Sequence, residues 1–297
     1  MKRIYAIEAN RVFLFSIAVS QGMVFLLAGA GMGNAMVQQF LIEVFLALPG
    51  VYYLLQRRLP FREALGISKL DALQWLLLIP FAFCIETIGE FVNLLSQLFA
   101  TNVVGEHMME LILAYPLPLT LLVIAVMPAL CEEFIFRGIL YQGYKKCSVS
   151  GAVILTAVLF GLMHMNMNQL SYAVVIGILF AAVNEVTGSI LPSMLLHLYI
   201  NGKSTLLLYL TADEVAAAEE QYNVAELLPQ LIPGVVTAIL VLAAIFRVLV
   251  KHRKKVSDSA EVSEVAEAKK KGLAGWIELG SWSLLFGVLI CIYFMIW

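Results

Sequence analysis

Residues Leu121–Tyr141 read LLVIAVMPALCEEFIFRGILY. An apolar run long enough to cross a bilayer is interrupted by Glu132, Glu133 and Arg137 and then resumes. A charged side chain at bilayer depth costs about 2.5–3.5 kcal/mol even on the lenient insertion scales. Three in one span imply a polar cavity, mutual pairing, or both. Glu133 and Arg137 are four apart, so on a helix they share a face in the favoured acid-before-base order. Glu132 lies about 100° round the helix from its neighbour. One carboxylate is thus set to be held by the arginine, and the other is left free for chemistry. A buried ion pair that only fixes helix packing is the competing reading. Intramembrane charge favours the functional one.

The flanking sequence is equally apolar. Of 297 residues, 61% are hydrophobic and 13% charged, whereas a soluble domain carries about 25% charged residues. The class is therefore all-α: a polytopic bundle of transmembrane helices. Nine apolar runs qualify as spans of roughly 20 residues: Val12–Ala30, Phe40–Leu55, Trp75–Leu95, Leu117–Leu140, Ala152–His164, Leu170–Val186, Ile190–Leu210, Leu231–Val250 and Trp276–Trp297. The first eight form a core and the ninth reads as an additional C-terminal span. The chain divides into N-terminal spans with an interfacial segment (1–116), a central segment holding the chemistry (117–210), and a C-terminal part (211–297). That last part comprises the acidic loop Asp213–Glu226, a span, the polar linker Lys251–Lys271 and the final span.

Basic residues orient the bundle. With the N-terminus cytoplasmic, all Lys and Arg except Arg137 and Lys203 fall in inner loops or at inner helix ends. The C-terminus is then outside if all nine spans are real. Gln56–Asp71 mixes bases with Phe61, Leu65 and Ile67 and reads as an interfacial helix or a surface loop. No cleavable signal peptide is read at the N-terminus. The four scattered cysteines form no CxxC pair and suggest neither disulfides nor a thiolate metal site. A net charge of −2 gives no ground for a nucleic-acid partner.

Two histidines lie in apolar segments. Phe160 and His164 are one helical turn apart in the fifth run, and His197 and Asn201 are one turn apart in the seventh. From a rise of about 1.5 Å per residue, Glu132, His164 and His197 lie roughly 10–20 Å from the inner ends of their helices, so a shared cavity is feasible. A carboxylate, two imidazoles and an amide are the parts for hydrolysis: a general base toward water, an assisting imidazole, and donors for an oxyanion. In the alternative, Glu132, His164 and His197 hold Zn²⁺ and activate its bound water. The H-E-x-x-H zinc signature is absent. Glu86 and Glu90, also four apart, either line the cavity or take up Lys203. Glu43 reads as a locally paired or interface residue, and Met163, Met165 and Met167 as an apolar helix-end turn.

Glu132-Glu133-Phe134-Ile135-Phe136-Arg137 is EExxxR, Phe160 to His164 is FxxxH, and His197 to Asn201 is HxxxN. In this order on separate helices, the three resemble the CAAX-protease and bacteriocin-processing (CPBP, or Abi) family of intramembrane proteases. The resemblance covers about Leu117–Leu210. It implies an eight-helix core with a site inside the membrane, open to the cytoplasm. It also implies that Glu132 activates water with His164 assisting, that His197 and Asn201 form the oxyanion site, and that Glu133, Arg137 and Phe160 support them. Both metal and metal-free glutamate mechanisms are proposed for the family; with only three strong ligands, the glutamate–water mechanism is favoured and no cofactor is required. The expected protein is an integral membrane endopeptidase of a bacterial plasma membrane, with the lipid bilayer and a peptide or membrane-protein substrate as partners. A non-enzymatic immunity or regulatory protein, or a proton-coupled transporter, would use the same polar residues differently.

Overall fold

The computed structural model describes residues 4–31, 33–100, 103–217, 224–257 and 280–296. These form helices α1 (Ala6–Gly29), α2 (Ala35–Gln56), α3 (Ala72–Ser96), the short α4 (Val103–Leu113), α5 (Leu117–Tyr144), α6 (Val149–Met163), α7 (Met167–Thr187), α8 (Leu191–Ala217), α9 (Val224–Ser257) and α10 (Trp282–Ile296), with no strand among the described residues. A polytopic helical bundle is the fold, as the hydropathy requires. Every predicted span has its helix. Six are long and apolar enough to cross a membrane, while α6 and α10 are shorter apolar helices. The expected acidic loop Asp213–Glu226 is helical at both ends, where α8 runs to Ala217 and α9 starts at Val224, with 218–223 outside the described residues; the polar linker from 258 on and the first residues of the ninth predicted span also lie outside them.

The helix carrying EExxxR is the axis of the bundle. In α5, 56% of the membrane-length window is buried, against 17–39% in the other five spanning helices. It is contacted by α1, α2, α6 and α8. Two apolar cores form around it. One joins α1, α2, α5 and α6 through Phe13, Phe136, Tyr144 and Phe160; the other joins α3, α7, α8 and α9 through Phe81, Phe180, Leu196 and Ile245. The charged residues of α5 lie where these cores meet.

Local sequence sets the helix ends near that junction. Ser148 caps α6 by accepting from the Gly151 amide at 3.0 Å. His164 closes the same helix, Met165 turns the chain at φ 51°, and Asn166 caps α7 by accepting from the Gln169 amide at 3.0 Å. Gly188, at φ 71°, ends α7 in the left-handed conformation that glycine adopts without strain.

The segment 57–71 holds one helical turn, Phe61–Ala64. It is tied to the α7–α8 turn: the Ile190 amide donates to the Gly66 carbonyl at 3.1 Å, and the Ser189 hydroxyl donates to the Ser68 carbonyl at 2.7 Å. Of the two expected forms, a short helix or a surface loop, the segment holds a short helix within a stretch pinned at both Gly66 and Ser68. The additional C-terminal helix packs on α1 and α6. Asn10 Nδ2 donates to Ser281 Oγ at 2.8 Å, Gly287 faces the Phe13 ring, and Cys291 is buried.

Candidate active site

Six of the expected residues assemble at the junction of the two cores. Glu132, Glu133 and Arg137 come from α5, Phe160 and His164 from the end of α6, and His197 from α8; α7 supplies a backbone wall. The α5 backbone is unusual on both sides of the acids. Leu122–Val126 and Phe134–Leu140 are wound as π-helix, with the Met127 amide reaching back to the Leu122 carbonyl and the Tyr141 amide to that of Phe136. Such widened turns recur at functional sites, because they shift the phase of a helix and alter which carbonyls are engaged.

Arg137 is the hub. Its Nη1 donates to Glu133 Oε1 at 2.9 Å and its Nη2 to the Gly177 carbonyl at 3.3 Å. The guanidinium lies 4.3 Å from the Phe160 ring centroid and 5.3 Å from that of Phe180. It is thus held by one carboxylate, one carbonyl and two aromatic faces, a set that suits a flat, permanently charged group. Gly177 permits the approach: a Cβ there would lie 3.0 Å from the Ala157 backbone and 3.2 Å from Arg137 Nη2.

His197 links the two acids. Its Nδ1 is 3.1 Å from Glu133 Oε1, and its Nε2 is 3.8 Å from Glu132 Oε2. Glu133 is therefore shared between an arginine and an imidazole. Glu132 Oε2 is buried with no hydrogen-bond partner among the protein groups. His164 Nδ1 is 2.8 Å from the Phe160 carbonyl. A carbonyl only accepts, so this nitrogen carries the hydrogen and Nε2 presents a lone pair. Both imidazoles meet the same Phe160 ring edge-on, at centroid distances of 5.1 Å for His164 and 5.9 Å for His197. Asn201, one turn beyond His197, donates through Nδ2 to the Ile124 carbonyl at 3.1 Å, within the first π-helical stretch.

The remaining sequence candidates lie elsewhere. Glu86 on α3 pairs with Lys203 and accepts from Tyr199 Oη at 3.0 Å, so of its two expected roles the structure shows the uptake of the lysine. Glu90 interacts electrostatically with the same lysine. Among the described residues no three His, Cys, Asp or Glu side chains are grouped as a metal ion requires. The Zn²⁺ alternative built on Glu132, His164 and His197 does not fit this arrangement.

Two contributors escaped the sequence reading, and a third, Glu43, has beyond its local pairing with Gln39 a neighbour that reading did not give it. Phe180 stacks against both Arg137 and His197, and Gly177 supplies a carbonyl; each lies in an ordinary apolar span with nothing to mark it. Glu43, on α2, interacts electrostatically with Cys131 and Glu132. Its signal was present: a lone carboxylate in an apolar run.

A protein-family model, type II CAAX prenyl endopeptidase Rce1-like, matches residues 114–202. This segment runs from the turn before α5 into α8 and contains all three motifs. No curated protein and no solved structure matches the chain.

Proposed function

We propose, from the match of residues 114–202 to the CAAX-type branch of the CPBP intramembrane proteases, that this integral membrane protein is an endopeptidase in which Glu132 activates water. The single observation that carries the reading is the division of labour between adjacent acids. Glu133 Oε1 is engaged by both Arg137 and His197, whereas the buried Oε2 of Glu132 has no hydrogen-bond partner among the protein groups and lies 3.8 Å from His197 Nε2; the Oε2 of Glu133 is also left without one.

The steps follow from the donors present. Glu132 takes a proton from water, and the water oxygen attacks the scissile carbonyl carbon. His164 Nε2, an acceptor by virtue of its Nδ1 contact, orients the same water. The developing oxyanion needs donors. His197, with Nε2 3.8 Å from Glu132 Oε2, stands beside the reacting water as one of them. Asn201 Nδ2 has a second hydrogen beyond the one given to Ile124. Glu132 then passes its proton to the leaving nitrogen as the C–N bond breaks, giving a carboxylate and an amine. The substrate class is a membrane-associated peptide or protein tail.

The test is cleavage of prenylated CAAX peptides and of unmodified membrane-anchored peptides by the full-length protein in liposomes. Glu132→Gln is expected to lower kcat by at least about 100-fold, the scale of a lost general base, with unchanged gel-filtration behaviour. Cleavage at the wild-type rate by that variant would overturn the assignment.

A further inference from the structure

Glu43 is the buried carboxylate that the mechanism above leaves unused. It is 2% exposed, in the middle of an apolar helix. Its Oε1 accepts from Gln39 Nε2 at 3.3 Å, and its Oε2 is buried without a partner among the protein groups. The register of α2 against α5 explains where it points. Met36 packs in one cluster with Val123, and Gly50 lies against the side chains of Phe134, Ile135 and Ile139. The two helices therefore run in parallel. Glu43, midway from Met36 to Gly50, falls beside Cys131 and Glu132, with which it interacts electrostatically.

We propose that Glu43 is a positioning residue that shares a single proton with Glu132. The inference rests on Glu132 being the base. The argument is one of charge. The one arginine of the site, Arg137, is paired with Glu133, and the polar contact of Glu43 is the neutral Gln39. Ionising Glu43 as well would leave an uncompensated negative charge in an apolar interior, which costs several kcal/mol. Two facing carboxyls in such a place hold one proton between them and titrate as a pair. Glu43 keeps that proton while Glu132 accepts one from water, and no proton is gained or lost by Glu43 over a cycle. Among the described residues, the titratable groups that the elements packed against α2 bring toward Glu43 are Cys131 and Glu132 of α5; Glu8 and Arg11 lie near the start of α1, with Glu8 paired to Arg57 at the far end of α2, and Glu110 lies on α4, a helix that packs through Leu111 on Met36 at the opposite end.

The experiment is the pH dependence of kcat for the full-length protein in liposomes, using the peptide that the wild type cleaves. The wild type is expected to show one ionisation on the acid side, where the pair takes up a second proton, and one on the alkaline side, where Glu43 gives up the shared one. Glu43→Gln is expected to lose the alkaline ionisation, with KM within about twofold, and Glu43→Asp to restore it. An unchanged profile in Glu43→Gln would overturn the proposal while leaving Glu132 as base. Full activity in Glu132→Gln would instead overturn the base assignment on which it rests. Infrared spectroscopy of the wild type needs no turnover and does not depend on the variant folding. A buried carboxylic-acid C=O stretch is expected at neutral pH, and its absence would overturn the shared proton.

Discussion

At the scale of single residues, the site is built around a buried ion pair. Glu133 and Arg137 are 0% and 1% exposed, and each contact of one limits the freedom of the other. Breaking a buried pair by neutralising one member typically costs about 3–5 kcal/mol, because the remaining charge is stranded. Glu133→Gln is therefore expected to lower unfolding stability by that order in detergent and to release His197 from its Nδ1 partner. Arg137→Lys keeps the charge but cannot satisfy a carboxylate, a carbonyl and two ring faces together; a loss of about 1–3 kcal/mol is expected by thermal or denaturant unfolding. Much of this was legible in the sequence, since a spacing of four puts an acid and a base on one helical face. The bridging of both acids by His197 was not. It depends on how α8 approaches α5, and no local pattern encodes the distance between helices.

Among elements, the turns around the site carry the specificity of the fold. The helix ends were readable from Ser148, Asn166 and Gly188, residues that cap or terminate helices for known reasons. Gly188 offers a clean test, because a Cβ there meets nothing within 4 Å and only its φ of 71° resists a side chain. Gly188→Ala is expected to cost about 1 kcal/mol, the left-handed penalty alone, read as a lowered thermal midpoint with activity retained. The π-helical turns of α5 were not readable. The interior of LLVIAVMPALCEEFIFRGILY offers Pro128 as a helix disturber but nothing that announces two widened turns. They arise from packing on four sides at once.

On the scale of the molecule, hydropathy yielded the bundle, with six helices among the described residues long and apolar enough to cross a membrane, without help from any motif. What it withheld was adjacency. α10 follows a long polar linker in sequence yet packs on α1, the first helix, with Gly287 against Phe13. A Cβ at Gly287 would lie 2.7 Å from that ring, so Gly287→Leu is expected to displace α10 and cost about 1–3 kcal/mol by overpacking. The readout is maleimide labelling of a variant retaining Cys291 as its single thiol: protected in the parent, where Cys291 is fully buried, and labelled after the substitution.

The reversal at His164-Met165-Asn166 carries one more consequence. It fixes where α6 stops, and an imidazole on the final residue of a helix inherits its direction from the number of residues before it. One residue inserted between Val149 and Phe160 would swing that ring, and the Phe160 ring with it, by about 100°, away from Arg137 and His197. Homologous sequences should accordingly exchange side chains freely along α6 while keeping its length constant, as a key tolerates any handle but only one shaft.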